Sequence, residues 1–67
     1  MGVSAKRIRL RMFTNKIEMK EIAKRHGVSR AWIEAIANGR YSGPSSQEWL
    51  KRISQTVDEL IEERKGA

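Results

Sequence analysis

Residues 19–39, Met-Lys-Glu-Ile-Ala-Lys-Arg-His-Gly-Val-Ser-Arg-Ala-Trp-Ile-Glu-Ala-Ile-Ala-Asn-Gly, constrain the fold more than any other stretch of this chain. They read as two short helices hinged at Gly27. Ile22 and Ala23 project from the first helix, and Ile33, Ile36 and Ala37 project from the second toward the same core. Gly27 stands where the chain must take a left-handed conformation, which glycine adopts without steric penalty. Val28 plugs the corner from beneath. Ser29 follows as an N-cap, placed to accept an otherwise orphaned backbone N–H. Gly39 then ends the second helix as a left-handed C-terminal cap. The spacing predicts one helix from about residue 17 or 18 to His26 and another over Arg30–Asn38.

Either side of this corner the pattern continues in helices. Ser4 can cap a first helix running to about Phe13, with Ala5, Ile8 and Met12 as its inner stripe and Phe13 at the margin. Arg7-Ile8-Arg9-Leu10-Arg11-Met12 also alternates strictly, the period of a half-buried strand. A basic strand before two helices points to a ribbon-helix-helix protein, which reads DNA with a paired β-ribbon. The helix is preferred, because the strand makes the downstream spacing a coincidence. Thr14–Lys16 forms a connection, with Thr14 or Asn15 as a cap. Gly43 and Pro44 break the chain after Arg40. Ser45 then starts a last helix over residues 45–65, with Glu48 three residues on as its capping-box partner. Trp49, Leu50, Ile53, Val57, Leu60 and Ile61 share one side of it at helical spacing. Glu48 pairs with Arg52 one turn later, Arg64 and Lys65 complement the C-terminal dipole, and Gly66 stops the helix.

The expected fold is all-α: a single small four-helix domain over residues 1–67, frayed at Met1–Val3, with a central helix-turn-helix and a long C-terminal helix. At 67 residues its core is small, and with no cysteine neither a disulfide nor a thiolate metal site can reinforce it. Self-association is a natural source of the missing stability. No apolar run approaches the roughly 18 residues needed to span a membrane, and no signal-peptide pattern precedes the domain, so the expected location is the cytoplasm.

The net charge of +6 is unevenly placed. Residues 1–40 carry ten Lys and Arg against three acids, +7, whereas residues 41–67 carry four against five, −1. A basic front on the same segment as the helix-turn-helix points to a polyanion, because the second helix of that motif can enter the DNA major groove. His26 is the only histidine, so a histidine metal site or catalytic dyad has no second member. No nucleophile with a partner and no glycine-rich phosphate loop is present. The expectation is a non-enzyme without metal, cofactor or small-molecule ligand.

Ile22-Ala23, Gly27-Val28-Ser29, Ile33, Ile36 and Asn38-Gly39 together resemble the lambda-repressor-like, or Cro/C1-type (XRE), helix-turn-helix family. The match is strong over about 20 residues and holds in outline for the flanking helices. The chain departs from the family at His26, where an apolar residue is usual, at Met19, where many members carry a glutamine, and in its single long last helix. The resemblance implies a DNA-binding domain that meets its operator as a dimer, with the Arg30 and Ala31 positions touching base edges.

A step of 100° per residue turns Arg30, Ala31, Glu34, Ala35 and Asn38 outward when Ile33 and Ile36 face the core. Arg30 can make a bidentate contact to guanine, and Ala31 and Ala35 can pack on thymine methyls or let the helix sink deeper. Glu34 can accept from cytosine, repel phosphates or simply pair with Arg30. Backbone contacts fall to Lys20, Ser29, Arg40 and Tyr41, with the open N–H groups of the first helical turn. Asn38 resembles the family's phosphate-binding asparagine, with capping as its other role. Lys6, Arg7, Arg9 and Arg11 form a second basic cluster, lying along the DNA backbone or reaching the minor groove as an arm. Trp32 is expected to be half-buried. The oligomer interface is expected to use exposed parts of Trp49, Ile53, Val57, Leu60 and Ile61.

The function these features predict is sequence-specific binding of double-stranded DNA by a small phage or mobile-element regulator. Two alternatives stand beside it. One is a DNA-recognition subunit of a larger assembly, such as a phage terminase small subunit or an excision complex. The other is a protein-interaction module, antirepressor-like, on the same fold. A basic amphipathic helix on a membrane surface ranks last.

Overall fold

The computed structural model describes residues 4–41 and 43–66, so the expected fraying at Met1–Val3 lies outside the described residues. Four helices follow in order: α1 (Ala5–Thr14), α2 (Met19–His26), α3 (Arg30–Ala37) and α4 (Ser46–Lys65). No strand forms among the described residues. The domain is small and all-α, with α4 as its long closing helix.

The conflict at residues 7–12 is settled by Leu10. A strand would bury Ile8, Leu10 and Met12 on one face. Instead Ile8 and Met12, one helical turn apart, are buried and Leu10 is 56% exposed. Ser4 takes the N-cap position of α1 without a side-chain capping bond. Phe13 lies well off the inner stripe, 86% exposed.

The junctions after α1, α2 and α3 share one construction. Each places one residue in the left-handed region: Lys16 at φ 56°, Gly27 at 65° and Gly39 at 75°. The following residue donates its N–H five positions back: Ile17 to Met12 at 2.8 Å, Val28 to Ala23 at 3.0 Å and Arg40 to Ala35 at 2.8 Å. A second bond, spanning three positions, runs from Lys16 to Phe13, from Gly27 to Lys24 and from Gly39 to Ile36. This is the Schellman closure, which satisfies carbonyls that the helix end leaves open. At Gly27 and Gly39 it is what the sequence predicts. Lys16 takes the same conformation without glycine's freedom, at a strain of about 1–2 kcal/mol. The turn swings Ile17 into the core beside Met12.

Neither Thr14 nor Asn15 caps α2. Thr14 is the last residue of α1, and Asn15 Nδ2 donates to the Arg11 carbonyl at 2.8 Å, sealing the end of α1 instead. Glu18 holds the N-cap position of α2, and its backbone N–H donates to Glu21 Oε2 at 3.4 Å. The capping box expected at Ser45 and Glu48 also does not form. Ser45 has ψ 3° rather than the extended value a cap needs. Its hydroxyl bonds the Tyr41 hydroxyl at 2.6 Å, while Glu48 accepts from Arg52 at 2.6 Å.

α1 packs against α3 and α4, α2 packs on α3, and both α2 and α3 rest on α4. Ile8, Ile22, Ile33, Ile36, Ile53 and Val57 are the largest fully buried side chains, each stabilising the fold by about 1.5–3 kcal/mol relative to exposure. This corrects the expected oligomer interface. Ile53 and Val57 are 0% exposed and Leu60 is buried with them, so their surface is consumed by the domain's own core. Only Trp49 and Ile61 of that set remain half-exposed.

Charged side chains stitch the second half of α4 to the rest. Arg11 pairs with Asp58, and Arg25 reaches both Glu63 oxygens at 2.6 and 2.7 Å. Glu63's hydrogen bonds and charge hold the Arg25 guanidinium above its ordinary value. Arg64 does not serve its own helix end as expected. It crosses to the carbonyls of Asn15 at 2.6 Å and Lys16 at 3.0 Å, and to Glu21 at 2.9 and 3.0 Å. His26 Nε2 lies 2.7 Å from Thr56 Oγ1, whose own proton is donated to the Arg52 carbonyl at 3.0 Å. Nε2 must therefore be the protonated nitrogen of that ring.

Candidate nucleic-acid interface

α3 is short because Ser29 starts it and Gly39 ends it. Ser29 Oγ accepts the Trp32 N–H at 3.1 Å, as an N-cap should. The backbone N–H groups of Arg30 and Ala31 take no acceptor among the described residues. Ile33, Ile36 and Ala37 anchor the inner side. On the other side Arg30, Ala31 and Asn38 are exposed, and Glu34 and Ala35 are half-buried. Asn38 occupies the C-cap position, with its N–H bonded to the Glu34 carbonyl at 2.9 Å.

Beside the start of α3 lies an open groove of about 460 Å³. Arg9 of α1, Lys20 of α2 and Arg30 of α3 line it together, so three helices each contribute a cation. Met12, Phe13, Ile17 and Met19 give it an apolar floor, and Glu18 is its one carboxylate. Two of the cations are already engaged: Arg30 Nε donates to Glu34 Oε1 at 3.0 Å, and Lys20 lies 3.2 Å from Glu18. Both pairs are exposed, so each is weak and exchangeable.

The four cations of α1 do not make one patch. At about 100° per residue, Arg9 and Arg11 diverge by about 160°. Lys6 shares the Arg9 side, whereas Arg11 is turned to Asp58 on α4. Arg11 is therefore a stitching residue rather than part of a common basic surface. Lys6, Arg7, Arg9 and Arg40 have no carboxylate partner among the described residues. The Tyr41 hydroxyl is engaged with Ser45, and its ring lies 5.1 Å from Trp32.

Trp32 is half-buried, as expected, within an aromatic layer. Its ring meets Trp49 edge-on at 5.8 Å, His26 meets Trp49 at 5.7 Å, and Arg52 sits 5.4 Å over Trp49. Trp49 therefore has internal partners on several sides. The sequence reading missed Phe13 and Met19 as groove residues. The signal was available for Phe13: with Ile8 and Met12 inward, it falls about 100° from Met12, on the Arg9 side.

No group of three or more His, Cys, Asp or Glu side chains gathers as a metal site among the described residues. No helix among them is long and apolar enough to cross a membrane. No protein-family model, curated protein or solved structure matches this chain.

Proposed function

We propose that this chain binds double-stranded DNA in a sequence-specific way, with α3 as the helix that enters the major groove. The observation that carries the reading is the α2–α3 corner. Gly27 at φ 65° joins two helices that bury Ile22, Ala23, Ile33 and Ile36, leaving Arg30, Ala31 and Asn38 exposed on the outer side of α3. Cations from three helices flank the start of that side. The outward methyls of Ala31 and Ala35 leave the backbone room to approach bases. In the regulatory role suggested by the family resemblance, Arg30 reads a base, and Arg9, Lys20, Lys6 and Arg40 hold phosphates. Trp49 and Ile61 are what remains of the expected dimer surface.

The test is a random-duplex binding selection at physiological salt, repeated with Arg30→Ala. We expect an enriched motif, lost or relaxed at one position in the variant. With about four phosphates neutralised by these cations, log affinity falls against log salt with a slope near −4. A flat selection, or an Arg30→Ala variant with unchanged preference, overturns the reading.

A second reading has an observation of its own. Phe13 and Leu10 are exposed on α1, and Phe13 lines the groove. Such a surface suits a protein partner. It predicts that Phe13→Ser abolishes partner binding while Arg30→Ala leaves it intact.

A further inference from the structure

We infer that Glu34 is a positioning residue that aims Arg30 at a guanine, rather than a base reader or a simple repellent. The inference rests on the DNA-binding reading above and adds the base pair that the site selects.

The atoms of the ion pair are what distinguish it. A guanidinium carries one Nε–H and two terminal Nη groups in a rigid plane. Guanine is read bidentately, through O6 and N7, by two N–H groups lying side by side. In the Arg30–Glu34 pair the bond runs from Nε, at 3.0 Å, and both Nη groups remain open. The other arginine pairs among the described residues use a terminal nitrogen. Arg11, Arg25 and Arg52 each donate through Nη2, and Arg64 uses both Nη1 and Nη2. Arg64 therefore has both terminal nitrogens committed, and Arg11, Arg25 and Arg52 each have one committed. Arg30 keeps its fork and has its plane oriented from behind.

Glu34 is well placed for this. It lies one turn after Arg30 on the same helix side, with its carboxylate less exposed than the guanidinium: 39% against 68% of the side chain. Ala31, the neighbour between them on the outer side, ends at a methyl and leaves the fork unobstructed. Glu34 also offsets the charge of Arg30, so the arginine gains less from an arbitrary phosphate than a free one does. Orientation and charge offset act in the same direction: toward selectivity and away from indiscriminate affinity.

The test compares the wild type with Glu34→Ala and Glu34→Gln, at a half-buried position on the outer side of α3, with folding checked by circular dichroism. Two readouts are needed. The first, without DNA, is the NMR mobility of the Arg30 Nε–H, with Arg7 as the internal reference for an arginine lacking a carboxylate partner. We expect the Arg30 Nε–H to be the more ordered in the wild type, to match Arg7 in Glu34→Ala, and to stay largely ordered in Glu34→Gln, whose amide oxygen still accepts. The second is binding to the selected duplex, to the same duplex with one G·C pair exchanged for A·T, and to random duplex. Glu34→Ala should lose about tenfold in the ratio for that one pair while random-duplex binding stays equal or tightens, and Glu34→Gln should recover most of the ratio. An equal change in affinity for all duplexes would make Glu34 only a repellent and overturn the inference. So would an Arg30 Nε–H as mobile as that of Arg7. If the wild type selects no motif, the aim at guanine falls together with the DNA reading. The mobility measurement then still distinguishes a held arginine without DNA from an arginine that was never held.

Discussion

Arg25 and Arg64 on the one hand and Arg30 on the other are all ion-paired, with opposite consequences. The first two bind carboxylates or carbonyls from distant parts of the chain, and so lock α4 to α2 and to the α1–α2 connection. Arg30 binds a neighbour on its own helix, so the pair fixes a direction without joining any elements. Five of the eight acids lie on α4, where Asp58, Glu62, Glu63 and Glu48 all have cationic partners. Around α1 and after α3, Lys6, Arg7, Arg9 and Arg40 have none among the described residues. The contrast shows an uneven field: most carboxylates of α4 are offset by cations, whereas these four cations of the basic front keep their charge.

The comparison breaks most severely at the core that α4 supports. Ile53→Ala should destabilise the domain by about 2–5 kcal/mol, comparable to the roughly 3–5 kcal/mol that a core of this size supplies. Thermal melting by circular dichroism should show the cooperative transition lowered or lost, and an unchanged melt would mean that α4 is not seated as described. The next effect separates the turns. Gly27→Ala should cost about 1–2 kcal/mol, because no side chain clashes there but φ stays left-handed. Lys16→Gly, at the equivalent point after α1, should instead stabilise by up to about 1 kcal/mol. Urea midpoints moving in opposite directions would sharpen the comparison, and movement in the same direction would break it. The smallest effect concerns the ion pairs. Arg64→Ala should cost about 1 kcal/mol, since two backbone carbonyls lose a charged donor. Arg52→Ala should cost no more than about 1 kcal/mol, of which the Glu48 pair is lost in high salt while the contact with Trp49 persists.

The α2–α3 corner was legible because its determinants are local. Gly27, Ser29 and Gly39 act through their own backbone, and Ile22, Ile33 and Ile36 mark the inner side without help from elsewhere. The features that were not legible depend on partners far away in sequence or on strain. Nothing in Lys16 announces a left-handed residue, so the burial of Ile17 was missed. The Ser45 capping box is a sound local pattern, but Tyr41 claims the hydroxyl. Periodicity found the apolar stripe of α4 and could not say whether α1–α3 or a second copy covers it, which is why Ile53, Val57 and Leu60 were assigned to an interface. The α1 cluster failed similarly. Four closely spaced cations look like one patch until the helical turn divides them and Asp58 claims Arg11. At the candidate site, the outward set on α3 was readable from the 100° step. The choice of Nε over Nη in Arg30 was not, because it depends on a side-chain geometry that spacing does not encode.

The three closures at Lys16, Gly27 and Gly39 also shape how the chain finds its fold. Each bends the backbone with bonds that span only a few residues, and α2 and α3, joined at Gly27, form the most extensive contact of any helix pair. The contact between α1 and α4 closes the largest loop. Topologies so rich in local contacts have low contact order, and such helical domains fold in microseconds to milliseconds.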